Sequence, residues 1–217
     1  MVEQWTENPR VPSSTLGLGT INFLLRSEYL SLIGITSDIH GSKTAWDAVF
    51  CSLRFKDVVL WIIAGDILYH GPKNPIPEGY SPKELAAAIN SYDKPLIIVK
   101  GNCDSEVDQS LLKIPILSPY GVLFIDGLKI LIHHGDKDLN SWIFSLEEDY
   151  RFNIVISGHT HIPFLKMQDG ILFVNPGSPS IPLGEIRKKT AVVLDTVKKL
   201  VGLVDLDTGE TVDSISF

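Results

Sequence analysis

Five apolar runs in this chain each close on a residue able to hold a cation, and that recurrence constrains the fold more than any other feature. The last of them, Asn153-Ile154-Val155-Ile156, leads into Ser157-Gly158-His159-Thr160-His161. Apolar runs this short, bounded by Gly and polar residues, read as buried strands. In extended backbone, residues i and i+2 point the same way, so His159 and His161 present two imidazoles to one side of a strand end. Gly158 removes a side chain where the backbone must come close. A lone His-x-His pair carries little weight, because histidines at strand ends commonly serve structural hydrogen bonds.

The weight comes from the four earlier runs. Leu32 to Ser37 leads into Asp38-Ile39-His40-Gly41, and Val58 to Ala64 leads into Gly65-Asp66. Pro95 to Lys100 leads into Gly101-Asn102-Cys103-Asp104, and Leu128 to Ile132 into His133-His134-Gly135-Asp136. Asp, Asn and His are hard or borderline oxygen and nitrogen ligands. His133 and His134 point to opposite sides of a strand, so only one of them faces the site.

The ordered set Asp-x-His, Gly-Asp, Gly-Asn, His-Gly and Gly-His-x-His, running from Ser31 to the C-terminus, resembles the calcineurin-like metallophosphoesterase superfamily. Gly65-Asp66 with His70-Gly71-Pro72, Pro77-Glu78-Gly79-Tyr80, Gly101-Asn102-Cys103-Asp104-Ser105-Glu106-Val107-Asp108-Gln109 and Asn175-Pro176-Gly177-Ser178 look like the small bacterial YfcE-type phosphodiesterases. The resemblance implies an α+β fold, a four-layer αββα sandwich with two mixed β-sheets and the site at the strand ends. It implies a metal-dependent phosphodiesterase, in which a hydroxide bridging a dinuclear site attacks phosphorus. One ion would take Asp38, His40, Asp66 and His161; the other would take Asp66, Asn102, His134 and His159. A bridging carboxylate, here Asp66, suits two ions about 3.5 to 4 Å apart.

Two dications bring about +4, and two carboxylates with a hydroxide leave about +1, which matches a phosphodiester monoanion. With no thiolate in the set, two Mn²⁺ ions are expected, with Zn²⁺, Fe²⁺, Ni²⁺ and Co²⁺ as compatible alternatives. Many relatives carry His after the Gly-Asn as the acid for the leaving oxygen, whereas this chain has Cys103 followed by Asp104. The catalytic candidates are therefore His70, Cys103 and Asp104. Cys103 reads equally as a small packing residue, and His70 as a solvated loop histidine or a substrate contact. Asp136 stands where His is common in the family, and reads as a hydrogen-bond partner of a ligand histidine or as a surface residue. The Asn175 to Ser178 turn is expected to pack near His161.

Composition excludes some classes. The formal net charge of −7 argues against non-specific nucleic-acid binding, so a small phosphodiester rather than long nucleic acid is the expected partner. A homo-oligomer is compatible with the sequence, and no membrane partner is expected. Cys51 and Cys103 form no disulfide framework, which suits a cytoplasmic location. Residues 1–30 are mixed polar with a short apolar stretch, Thr20 to Leu25, and read as a poorly ordered N-terminal extension or as an arm that docks on a partner subunit. Residues 31–217 suit a single domain. The alternatives to the phosphodiesterase are a non-catalytic protein-binding scaffold of the same fold, as in a retromer subunit, and a nuclease or cyclic-nucleotide phosphodiesterase.

The spacing predicts a helix over 42–53, with Ser42 as N-cap and Ala45, Trp46, Val49, Phe50 and Leu53 inward. Ser81-Pro82-Lys83-Glu84 predicts a helix start, and a short helix is expected over 105–112. A longer one is expected over 137–150, turning Leu139, Trp142, Ile143 and Leu146 inward. Asp126-Gly127 and Asp169-Gly170 predict hairpins, and three strands are expected to close the chain.

Overall fold

The computed structural model describes residues 32–217. The predicted 1–30 extension therefore lies outside the described residues.

The chain alternates strand and helix and then turns to hairpins. It runs β1 (Leu32–Thr36), α1 (Lys43–Phe50), β2 (Val58–Ile63), α2 (Pro82–Ser91), β3 (Leu96–Val99), α3 (Glu106–Leu111) and β4 (Ile116–Leu117). It continues with β5 (Gly121–Ile125), β6 (Leu128–Ile132), α4 (Asn140–Ser145), β7 (Ile154–Ile156), β8 (Phe164–Gln168) and β9 (Ile171–Asn175), and closes with β10 (Thr190–Asp195), β11 (Leu200–Asp205) and β12 (Thr211–Ser216). Seven strands form one sheet in the order β12-β11-β10-β1-β2-β3-β4, and five form a second in the order β5-β6-β7-β9-β8. Both are mixed: β1, β2, β3 and β4 run parallel, as do β6, β7 and β9, and the remaining neighbours are antiparallel. The sequence reading missed β4, because two residues carry no periodicity.

The sheets face each other across one core, in which Ile33, Ile35, Ile62 and Val99 meet Ile130, Ile132, Ile156 and Val174. α1 and α2 cover the outer face of the larger sheet through Ala45, Trp46, Leu85 and Ile89, against Ile63 and Ile98. Ile143 of α4 covers part of the smaller sheet with Phe152, against Leu131 and Val155. This is the expected αββα sandwich with two mixed sheets. Parallel strands with both faces covered are apolar throughout, which is why the sequence shows continuous runs rather than alternation.

Both predicted hairpins form. Asp126 and Gly127, at φ 48° and 76°, and Asp169 and Gly170, at φ 49° and 78°, give the positive-φ pairs that suit the twist of the flanking strands. Three helix expectations need correction. α1 starts as predicted, with the Ser42 hydroxyl accepting from Ala45 N, but ends at Phe50. Ser52 then starts a separate 3₁₀ turn whose Phe55 is buried, leaving Leu53 85% exposed. α2 begins at Pro82, yet the Ser81 side chain makes no capping bond; the reciprocal box forms instead at α3, between Ser105 and Asp108. The helix expected over 137–150 breaks into α4 and a 3₁₀ turn over Glu148–Tyr150, so Ile143 is buried while Trp142 faces outward.

Candidate metal centre

Parallel strands bring their carboxyl ends to one edge, and the seven expected donors follow those ends. Asp38 and His40 follow β1, Asp66 follows β2, Asn102 follows β3, His134 follows β6, and His159 and His161 follow β7. The β1–β2 pairing continues past both strands, with Asp38 N donating to Gly65 O at 3.0 Å and His40 N to Asp66 O at 2.9 Å. The two sheets are joined here, since Asp38 Oδ2 accepts from His159 N at 2.9 Å.

Around Asp38, acceptors face acceptors. His40 Nδ1 lies 2.9 Å from the Tyr69 carbonyl and His161 Nδ1 lies 2.8 Å from the Ile181 carbonyl, so each ring donates there. In the neutral ring this tautomer leaves Nε2 bare. The two bare Nε2 atoms are 3.0 Å apart. Asp38 Oδ1 is 3.4 Å from His161 Nε2 and 3.7 Å from His40 Nε2, and among the described residues it has no hydrogen-bond partner. Lone pairs converging on one buried point call for a cation.

A second group repeats the pattern. His134 donates Nδ1 to the Ala64 carbonyl at 2.7 Å and turns Nε2 to Asn102 Oδ1 at 3.0 Å. His159 Nδ1 meets the same Asn102 oxygen at 2.7 Å. Asp66 Oδ2 stands between the groups, 3.4 Å from His134 Nε2 and 3.7 Å from His40 Nε2. Donor atoms of Asp38, His40 and His161, and of Asp38, Asp66 and His134, each fall within 4.8 Å of one another.

The charges are coupled. Burial pushes the Asp66 carboxyl up, but the His134 hydrogen bond and charge, with the Cys103 N–H, hold it down at about 2. Burial pulls the His134 imidazole down, and Asp66 and Asp38 together outweigh it and lift it to about 9. Burial wins at His40, which is lowered, while against burial the neighbouring Asp38 carboxylate raises His161.

Two glycines permit the close approach. A Cβ on Gly101 would lie 2.1 Å from Asp66 Oδ1, and one on Gly158 would lie 1.9 Å from Ser37 Oγ and 2.8 Å from Asp38 Oδ2. The Asn175 to Ser178 turn packs behind the centre as expected. Asn175 Nδ2 donates to the Gly158 carbonyl at 2.8 Å, and Ser178 Oγ to the Asp38 carbonyl at 2.7 Å.

Several expectations change. His159 and His161 are not extended-strand residues: β7 ends at Ile156 and their φ values are 68° and 57°. The pair divides, His161 joining Asp38 and His40 while His159 joins Asn102. Asp104, expected among the catalytic groups, does not line the cavity beside the donors. Its carboxylate accepts from Asp66 N, Ile67 N and Gly101 N at 2.7 to 2.8 Å, and burial lifts it to about 6 against the pull of those N–H groups. His70 does not line the cavity either; its ring meets Tyr69 and Tyr80 edge-on, at 4.8 and 5.1 Å between centroids. Cys103 does line it, with its thiol pushed up to about 12 by burial and by the charge of Asp66. His133 is half-buried, and burial lowers it. Asp136 is exposed, in keeping with the surface reading.

The cavity is small, about 250 Å³, and is lined by Asp66, Asn102, Cys103, His159 and His161 with the Gly71-to-Asn74 segment and Leu183. Sequence reasoning missed Lys73, Asn74 and Leu183. Lys73 and Asn74 follow the His70-Gly71-Pro72 motif directly, while nothing in the local sequence marks Leu183.

A family model described as the calcineurin-like phosphoesterase superfamily domain matches residues 32–199. The phosphodiesterase YfcE of Escherichia coli K12 is 38% identical over 148 residues, covering 68% of this chain and 79% of YfcE. The E. coli Yfce structure, described as that of a phosphoesterase, superposes with a TM-score of 0.74 at 30% identity, covering 85% of this chain and 98% of that one. Vacuolar protein sorting 29 of Cryptosporidium parvum shares the fold, with a TM-score of 0.58 at 20% identity over 86% of this chain and 98% of that one. Sequence, architecture and the converging donors agree, and the chain belongs to the calcineurin-like phosphoesterase superfamily.

Proposed function

We propose that this chain is a metal-dependent phosphodiesterase that hydrolyses a small phosphodiester at a dinuclear centre. The observation that carries the reading is the pair of bare imidazole nitrogens, His40 Nε2 and His161 Nε2, 3.0 Å apart beside the unpartnered Asp38 Oδ1. The donor set fits divalent ions: Asp38, His40, Asp66 and His161 would hold one, and Asp66, Asn102, His134 and His159 the other. Bound divalent ions supply Lewis-acid stabilisation of phosphoryl charge and an acidified water. Mn²⁺ is compatible with this mixed oxygen and nitrogen set, as are Fe²⁺, Zn²⁺, Ni²⁺ and Co²⁺.

The chain's own residues supply the rest. Backbone carbonyl contacts at Nδ1 fix the tautomer and aim of His40, His134 and His161. Asp104 holds the loops after β2 and β3 in one relative position through three N–H groups. Cys103, with its thiol held near 12, is a neutral wall of the cavity and not a nucleophile. With His70 turned to Tyr69 and Tyr80, protonation of a poor leaving group falls to solvent, which favours diesters with good leaving groups. A 250 Å³ cavity and an acidic chain support a small substrate over a long polynucleotide. No helix among the described residues is long and apolar enough to cross a membrane. An exposed and a half-buried free cysteine suit a reducing cytoplasm.

The test is turnover of bis-p-nitrophenyl phosphate beside p-nitrophenyl phosphate by metal-stripped protein resupplied with Mn²⁺. Turnover of the diester is expected to return with metal, and Asp66→Asn is expected to lower it by about 100-fold or more while the far-UV circular dichroism is kept. Near-normal turnover by the folded variant would sink the reading.

A further inference from the structure

One cation at the cavity is not used by this chemistry. Lys73 lines it with Gly71, Pro72 and Asn74 on one side and Leu183 among the other lining residues. Among the described residues Asp66 is the one acidic residue in that lining, and it lies at the donors rather than on the wall. The Lys73 ammonium enters no ion pair among the described residues, in contrast to Lys189, which lies 3.5 Å from Glu78 Oε2.

The segment beneath Lys73 is held firmly. Gly71, at φ 78°, lies so close to Cys103 that an added Cβ would sit 2.8 Å from its sulfur. Asn74 Nδ2 donates to the His70 carbonyl at 3.0 Å, and the His70 ring rests edge-on against Tyr80. Both ends of the loop are tied to α1 and its approach, with Gly41 N donating to Ile67 O at 2.7 Å and Lys43 N to Gly79 O at 2.9 Å. The base of the lysine is thus fixed, while its stem lets the charge reach along the wall. Pro72 and Leu183, both exposed, give that wall apolar surface for an organic group.

A simple diester carries one negative charge, which the donor centre already meets. A second cation, carried on the cavity wall and without an acidic partner among the described residues, suits a second anion. We propose that Lys73 is a specificity-determining residue that binds a further anionic group, phosphate or carboxylate, on one ester arm of the substrate. This rests on the phosphodiesterase reading and narrows its substrate class.

The test compares two esters that differ by that one anion: thymidine 5′-(p-nitrophenyl phosphate) and the same compound carrying a 3′-phosphate. The Mn²⁺-loaded native protein is expected to prefer the phosphorylated ester about tenfold in kcat/KM, through KM, the size of one partly screened charge contact. In Lys73→Ala the preference is expected to fall to about twofold or less, and Lys73→Arg to retain it. The ratio is taken within one protein, so a general loss of activity cancels. A 3′-O-carboxymethyl ester separates the anions: an equal preference means that charge alone is read, and none means that phosphate geometry is required. No preference in the native protein, or an undiminished one in Lys73→Ala, would overturn the proposal. Failure of the native protein to turn over any of the three esters would instead overturn the phosphodiesterase reading beneath it.

Discussion

Asp38, His40, Asp66, His159 and His161 all sit in the left-handed region, at φ 51° to 68°. Each such non-glycine residue costs about 1 to 3 kcal/mol of strain, tolerated where the surroundings over-determine the backbone. Here the N–H and carbonyl contacts of neighbouring strands do so, and the strain aims side chains that a regular strand would point elsewhere. Two predictions belong at this scale. In metal-stripped protein His134 is lifted to about 9 from 6.5, so its Asp66 pairing stabilises the fold fully below about pH 6.5 and is lost as pH rises through about 9. An ion needs the bare Nε2 and must displace that proton, whereas Asp66, at about 2, has none to give. Metal affinity should therefore rise with pH by up to about tenfold per unit until about pH 9, with proton release in calorimetry across buffers of different ionisation enthalpy. Affinity independent of pH from 7 to about 9 would contradict this. Gly101→Ala should push the new methyl into Asp66 Oδ1 and weaken metal binding about 10- to 100-fold, read by equilibrium dialysis.

Among the elements, the loops after β2 and β3 act as one unit because Asp104 ties them. In Asp104→Asn an amide –NH₂ replaces one acceptor and faces backbone donors, leaving buried N–H groups unpaired. The variant should lose about 2 to 3 kcal/mol in urea denaturation. It should also bind metal about 10- to 100-fold more weakly, because Asp66 and Asn102 lose their mutual register. A stable variant with native metal affinity would remove Asp104 from this role. The legibility of elements follows their length. The five buried runs and the two Asp-Gly hairpins are plain in the sequence, because each carries its own periodicity or turn chemistry. The 137–150 region misleads because Leu139, Trp142, Ile143 and Leu146 keep helical spacing across a break, and apolar spacing is blind to where the backbone leaves the helix.

For the molecule as a whole, the centre stands where the two sheets meet: Asp38 and Asp66 come from the larger sheet, and His134, His159 and His161 from the smaller. Ions bound there should oppose separation of the layers. Saturating Mn²⁺ at about 100 times its Kd should add about 2.7 kcal/mol, and raise the thermal midpoint by about 5 to 11 °C. Differential scanning calorimetry with and without chelator checks this, and Asp66→Asn should abolish the shift. A midpoint indifferent to metal, in protein shown to bind it, would mean that the centre does not couple the sheets.

The candidate donors were legible without a structure because side-chain type and position after an apolar run are local properties, and these decide which atoms are available as ligands. What only the tertiary structure decided is which of them share a point. His40 and His161 meet across 121 residues, and the adjacent His159 and His161 part to different groups because each follows its own backbone turn rather than a strand's alternation. Asp104 and Cys103 are neighbours of like promise in the sequence, yet the fold turns the carboxylate to backbone N–H groups and the thiol to the cavity. Convergence depends on the pairing of distant segments, and no local pattern encodes the direction in which a side chain leaves a left-handed residue.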